Sequence, residues 1–130
     1  MPVKGVGLGE DFVVNLTLQV NNDCDSVDMS LDIKDEAKMQ IAHVSNYDSR
    51  FQLRNVKAGE TYNVRCIMKG VNLAPGAYTA HLWLGNPYEH YDWLGNCLSF
   101  YITQNEEFIK RETPYGESNK VVIPSEWTLK

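Results

Sequence analysis

The amino-acid sequence predicts an all-β protein with an immunoglobulin-like antiparallel β-sandwich, and a jelly-roll-like sandwich is the alternative. Three observations predict this class. Several short segments alternate between apolar and polar residues with a period of two, which is typical of half-buried strands. Clusters of Gly, Asn, Asp and Pro separate these segments, as turns do. No stretch sustains the helical period of apolar residues, so no long amphipathic helix is predicted.

The predicted strands follow one another along the whole chain. They lie at residues 11–21, 27–34, 39–44, 61–69, 77–84, 97–103 and 121–123. Residues 1–10 contain three glycines and predict a flexible or truncated N-terminal end. Residues 104–130 predict a C-terminal segment that is charged and turn-rich over 106–119 and then forms one short strand. A chain of 130 residues is expected to fold as a single domain, residues 1–130.

The shared register of these strands predicts which side chains form the core. We expect burial of Phe12, Leu16, Leu18, Leu31, Val64, Tyr78, Leu82, Leu98 and Phe100. Tyr78 follows a Pro75-Gly76 turn and opens a core strand, which resembles the tyrosine corner of immunoglobulin-like sandwiches. In such a corner the tyrosine hydroxyl bonds to the backbone a few residues upstream, and we expect the same of Tyr78.

Composition argues against several classes of function. The net charge is −5 and Lys and Arg form no cluster, which disfavours nucleic-acid binding. No apolar run approaches the ~20 residues of a membrane helix, and the N-terminus lacks the apolar region of a signal peptide. Three cysteines without a close pair predict a reducing compartment, and we expect a cytoplasmic location. No spacing of residues predicts a metal site, a cofactor or an enzyme.

The hairpin within residues 73–102 carries the candidate binding site. Alternation along its two strands places His81, Trp83, Ser99 and Tyr101 on the face opposite the core. The segment 86–96 is predicted to be a loop that folds over this face. It adds Tyr88, His90, Tyr91, Asp92 and Trp93. Flat rings beside acids and amides suit a sugar, because rings stack on its C–H faces and polar groups bond to its hydroxyls.

Two functions from different classes fit this aromatic face. One is a module that binds carbohydrate, and the other is a structural or assembly domain whose aromatic face is a protein–protein interface. Glycoside hydrolysis needs two carboxylates across a cleft. Glu89 and Asp92 are its only candidates, and their position in a loop favours simple hydrogen bonding over catalysis.

Four stretches of the sequence resemble one family of domains. They are the G-E-x-F-x-V-x-L-x-L-x-V-N string of residues 9–21, the block at 57–84, D-W-L-G-N-C-L-S-F-Y-I at 92–102 and V-V-I-P-S-E-W at 121–127. This ordered set is similar to the C-terminal domain of Wzt-type proteins, the nucleotide-binding subunits of ABC transporters that export O-antigen and related polysaccharides. The resemblance implies an immunoglobulin-like sandwich that recognises the polysaccharide on the cytoplasmic side of the membrane.

The resemblance also implies partners. These are a polysaccharide ligand, the ATPase part and the membrane subunits of an ABC transporter. Domains of the family usually have another strand before the G-E-x-F segment, and residues 1–10 do not predict one. An unpaired sheet edge invites pairing with another chain. We therefore expect a homodimer, with the strand at residues 121–123 as the candidate for exchange between subunits.

Overall fold

The computed structural model describes residues 3–105 and 119–129, and nearly all of its regular structure is β-strand. The strands are β1 (Val3–Gly7), β2 (Phe12–Gln19), β3 (Cys24–Lys34), β4 (Gln40–Ser45), β5 (Leu53–Val56), β6 (Thr61–Met68), β7 (Gly76–Gly85) and β8 (His90–Thr103). One 3-10 helix, Asn46–Ser49, follows β4. Nowhere in these two ranges is there a helix with the length and apolar character needed to cross a lipid bilayer.

Two sheets of unequal size pack against each other. The larger sheet has the strand order β1–β8–β7–β3–β4, and β5 pairs with the first residues of β3. The smaller sheet contains β2 and β6. Among the described strands every pairing is antiparallel except that of β1 with β8. This architecture confirms the predicted all-β sandwich.

The core lies between the two sheets and contains the predicted set of side chains. Phe12, Leu31, Tyr78, Leu82 and Phe100 are buried. The other four predicted core residues are half-buried and pack against the same cluster. They are Leu16, Leu18, Val64 and Leu98. Three of these lie in the smaller sheet, and two strands are too few to cover the inner face of the larger one.

The tyrosine corner is present in the structure. The Tyr78 hydroxyl donates a buried hydrogen bond of 2.5 Å to the carbonyl oxygen of Ala74. Burial raises the pKa of the Tyr78 phenol, since the charged form is costly away from water. The bond fixes the turn that leads into β7, the central strand of the candidate site, and it agrees with an immunoglobulin-like sandwich.

The prediction of a flexible N-terminal end is wrong for Val3–Gly7. This segment is β1, which pairs in parallel with β8 from Val3 opposite Ser99 to Gly7 opposite Thr103. Beyond the strand, the buried Leu8 donates its N–H to the carbonyl of Thr103 at 2.8 Å. Because β1 covers this side of β8, the argument for a dimer from a missing leading strand no longer holds.

Three smaller features also differ from the predictions. Residues 46–49, which lie between the predicted strands, form the 3-10 helix, which Ser45 caps by accepting the N–H of Tyr47. Strand β5 was not predicted. Its four residues do not alternate strictly between the two faces, since Asn55 adopts a left-handed φ of 52°. The strand expected at 121–123 is a single bridge between Val121 and Leu73. The charged segment at 106–119 lies outside the described residues except for its last position.

Candidate functional site

The outer face of the larger sheet presents the predicted aromatic residues. The even-numbered residues 78–82 of β7 are buried, whereas His81 and Trp83 are half-buried on the opposite side. Residues directly opposite each other in a sheet share a face. Trp83 pairs with Trp93 of β8 on one side and with Ser30 of β3 on the other. The predicted face assignment of His81 and Trp83 is therefore confirmed.

Each tryptophan of this face lies beside a histidine. The Trp83 Nε1–H donates to His90 Nδ1 at 2.8 Å, and the two ring centroids are 6.2 Å apart. The Trp93 ring stacks at a tilt of 33° on His81, with 4.9 Å between centroids. His81 Nδ1 in turn accepts the backbone N–H of Asn96 at 2.9 Å. Both Nδ1 atoms accept, so Nε2 is the ring nitrogen of each histidine that remains to donate a hydrogen bond.

Two glycines make room for the indoles. A Cβ atom built on Gly95 would lie 2.7 Å from Cη2 and 2.9 Å from Cζ3 of Trp93. A Cβ atom on Gly85 would lie 2.7 Å from Cη2 of Trp83 and 2.5 Å from the carbonyl oxygen of Glu89. Each indole therefore occupies the space above the glycine two residues further along its own strand. We name Trp83, Trp93, Gly85, Gly95 and their two histidine neighbours the ring platform.

An acid lies next to the ring platform. Asp32 of β3 stands opposite His81, and its Oδ1 contacts His43 Nδ1 at 2.5 Å and accepts a bond from Gln40 Nε2 at 3.2 Å. Lys34 follows on the same face of β3. The platform is thus bordered by groups that donate and accept hydrogen bonds, as sugar hydroxyls require.

The predicted loop at 86–96 is largely a strand. Residues 90–96 belong to β8, and the turn is confined to residues 86–89. There Asn86 Oδ1 accepts the N–H groups of Tyr88 at 2.8 Å and Glu89 at 2.7 Å. These two bonds hold the turn to four residues, and β8 begins directly after it. No loop is therefore left to fold over the outer face.

An irregularity in β8 explains why the sequence does not predict this strand. Ala80 pairs with Leu98 and Leu82 with Leu94, so the single residue His81 faces the three residues 95–97. Asn96 adopts a left-handed φ of 49° within this bulge. The bulge interrupts the alternation, so that residues 90–96 and 97–103 do not share one register.

The structure divides the nine predicted site residues between two surfaces. Tyr88, Tyr91 and Asp92 do not join the ring platform. Together with His90, which borders both surfaces, they line a cleft of about 600 Å³ at the end of the sandwich, beside the β2–β3 turn. The Tyr91 hydroxyl donates to the Ser26 carbonyl at 3.1 Å and accepts from Asn86 Nδ2 at 2.6 Å. Burial raises the pKa of Tyr91, consistent with a structural role.

Ser99 and Tyr101 share the outer face but lie far from Trp83. Ser99 pairs with Thr79 and Tyr101 with Ala77, four and six positions along β7 from Trp83. At the rise of a β-strand these offsets correspond to roughly 13 and 20 Å. Ser99 and Tyr101 therefore share a face with Trp83 but do not surround it, and the compact group is that of His81, Trp83, His90 and Trp93.

Sequence reasoning missed the glycines and Asp32. A signal for the glycines was available, because the tetrapeptide W-L-G-N occurs twice, at 83–86 and 93–96. Asp32 gave no such signal, since its place beside His81 depends on the pairing of β3 with β7 across a long connection.

Comparison with known proteins places the chain in a family. The model of the Wzt C-terminal domain matches residues 1–111. A solved structure described as the crystal structure of the C-terminal domain of wzt has a similar fold, with a TM-score of 0.77 and 14% sequence identity. The similarity covers 97% of this chain and 74% of that one. No curated protein matches the sequence. The chain therefore belongs to the Wzt C-terminal domain family, whose members are associated with O-antigen ABC transporters.

Proposed function

We propose that this domain binds a polysaccharide on the ring platform. The observation that carries the proposal is the exposed indole of Trp93, which is 53% accessible although it is held in place by His81 and Gly95. An aromatic ring that is both fixed and exposed presents a flat apolar surface, which suits the C–H face of a sugar. The donors and acceptors around it replace the water that sugar hydroxyls lose on binding.

Family membership suggests which polysaccharide is bound. We propose that the ligand is the O-antigen-like glycan that the associated ABC transporter exports. The partners are then the ATPase and membrane subunits of that transporter, and binding takes place on the cytoplasmic side. The proposed role is recognition. In agreement with this role, Asp92 Oδ1 accepts the N–H of Trp93 at 2.8 Å and thus supports its own strand.

Titration calorimetry with the surface polysaccharide of the host organism tests the proposal. The wild-type domain is expected to bind, and Trp83→Ala is expected to lower the affinity about tenfold, a loss of about 1.4 kcal/mol. The fold is expected to survive because Trp83 lies outside the core cluster. Circular dichroism and thermal unfolding check this point. Absence of binding by the wild-type domain would contradict the proposed function.

The second candidate function is assembly, in which two copies of this domain pair to form a homodimer. Within the described part of the chain, β6 pairs only with β2, so its other edge is free. An apolar groove of about 510 Å³ lies beside that edge and includes Val64 and Phe51. A free edge next to an apolar groove favours pairing with another chain. We therefore retain the homodimer as a proposal, now based on β6.

Light scattering at high micromolar concentration tests the assembly candidate. A homodimer is expected, and a monomer mass would count against it. The Trp83→Ala variant shows which surface pairs. It is expected to remain a dimer, because Trp83 lies in the larger sheet and not at the edge of β6. If this variant keeps its fold and its affinity for the polysaccharide but dissociates into monomers, the subunit interface is the aromatic face, and that face is not the sugar site.

A further inference from the structure

The two tryptophans of the ring platform point in opposite directions along the hairpin. Trp83 and Trp93 stand directly opposite each other in the β7–β8 pairing. Each indole lies over the glycine two residues further along its own strand, Gly85 and Gly95 respectively. Because β7 and β8 are antiparallel, the Trp83 ring extends toward the hairpin turn and the Trp93 ring extends away from it.

The histidine neighbours confirm these directions. His90, the partner of Trp83, pairs with Gly85 next to the turn. His81, the partner of Trp93, lies opposite the bulge that contains Gly95. The far ends of the two indoles therefore lie at levels of the hairpin that are four residues of β7 apart, which corresponds to roughly 13 Å. The two rings thus offer separate stacking surfaces, and one monosaccharide cannot cover both along their length.

We propose that the ring platform binds a stretch of several sugar residues lying lengthwise along the β7–β8 hairpin, with a different residue on each indole. This inference rests on the proposed function and specifies its ligand as an oligosaccharide segment, not a single sugar. A glycan that stacks on both rings binds more tightly than one that stacks on a single ring. The reason is that the second contact forms while the first already holds the glycan on the domain.

Chain-length dependence provides the first test. Partial acid hydrolysis of the host's surface polysaccharide, followed by size fractionation, gives a series from monosaccharides to hexasaccharides. Titration calorimetry is expected to show hexasaccharides binding at least about tenfold more tightly than disaccharides, with little further gain in longer fragments. Equal affinity for every length would overturn the two-ring arrangement while leaving polysaccharide binding intact. No binding of any fraction or of the intact polymer would refute the proposed function itself.

The Gly95→Ala variant provides the second test, with Gly5→Ala as its matched control. Both glycines lie on the outer face of the larger sheet, but a Cβ atom on Gly5 meets nothing within 4 Å. The three atoms nearest to a methyl group on Gly95 belong to side chains, the Trp93 indole and His81 Nδ1, so we expect the indole to shift and the backbone to stay in place.

The two variants are expected to differ in a length-dependent way. Gly95→Ala should lower hexasaccharide affinity about tenfold but change monosaccharide affinity no more than about twofold, because the Trp83 ring remains for short ligands. Gly5→Ala should leave both affinities unchanged. The proposal fails if Gly95→Ala weakens short and long fragments equally, or if it behaves like Gly5→Ala. Thermal unfolding of both variants confirms that the folded domain is being compared.

Discussion

Phe100→Ala is expected to destabilise the domain by about 3–5 kcal/mol, the usual cost of removing a fully buried phenylalanine. Phe100 is 1% exposed and lies between Phe12, at a centroid distance of 4.9 Å, and Tyr78, at 5.7 Å. Its loss leaves a cavity between the two sheets that neighbouring strands cannot close. Because a domain of this size has a net stability of roughly 5–15 kcal/mol, such a loss approaches complete unfolding.

Denaturant unfolding followed by circular dichroism measures this effect. The matched control is Tyr101→Ala, since Tyr101 is the next residue in β8 and lies on the opposite face with half of its surface exposed. The control is expected to change the free energy of unfolding by less than about 0.5 kcal/mol. Similar losses in the two variants would show that the assignment of the two faces of β8 is incorrect.

Removal of both platform rings is expected to have the largest effect on binding. The double variant Trp83→Ala/Trp93→Ala should bind the host polysaccharide about a hundredfold more weakly, a loss of about 2.8 kcal/mol. The reason is that each indole stacks on its own sugar residue in the proposed arrangement, so the two losses are expected to add. Neither ring belongs to the core cluster, and the double variant should remain folded.

Titration calorimetry of the two single variants and the double variant measures the additivity. Trp127→Ala is the control, because Trp127 is 92% exposed and lies in the C-terminal segment, outside the β7–β8 hairpin. If the double variant is no weaker than Trp83→Ala alone, only one ring contacts the sugar. If Trp127→Ala weakens binding as strongly as the platform variants, the ligand lies elsewhere on the domain.

The parts of this fold that local alternation determines could be predicted from the sequence. Residues 78–84 alternate without interruption, and the structure places Tyr78 and Leu82 inside and His81 and Trp83 outside. The same holds for β2, where Phe12 and Val14 are buried and Val13 is exposed. A shift of the strand pairing by one residue would expose every apolar side chain of these strands to water. The alternating pattern therefore specifies which face is buried.

The parts that depend on distant partners could not be predicted. Strand β1 has a glycine-rich sequence without a strand pattern, and it is held by parallel pairing with residues 99–103 at the other end of the chain. The sequence does not predict β8 as one continuous strand, because its bulge contains Gly95 and Asn96, two residue types that are typical of loops. For the proposed site, alternation along β7 predicted that His81 and Trp83 lie on the outer face, but residue type alone could not predict which rings lie together. The β8 bulge and the short turn at residues 86–89 determine which rings lie together. They also place Tyr91 in the cleft.

Strict alternation in β7 places the residues that support the fold and the residues that form the outer surface at separate positions of one short segment. Substitutions at Tyr78, Ala80 and Leu82 act on folding, whereas substitutions at His81 and Trp83 change the outer surface. Under the proposed function, a lineage whose exported glycan changes can therefore alter its binding residues at outward positions without first acquiring a more stable scaffold. The same division suits protein engineering, since libraries limited to the outward residues of β7 and its neighbours would vary specificity while nearly every member still folds.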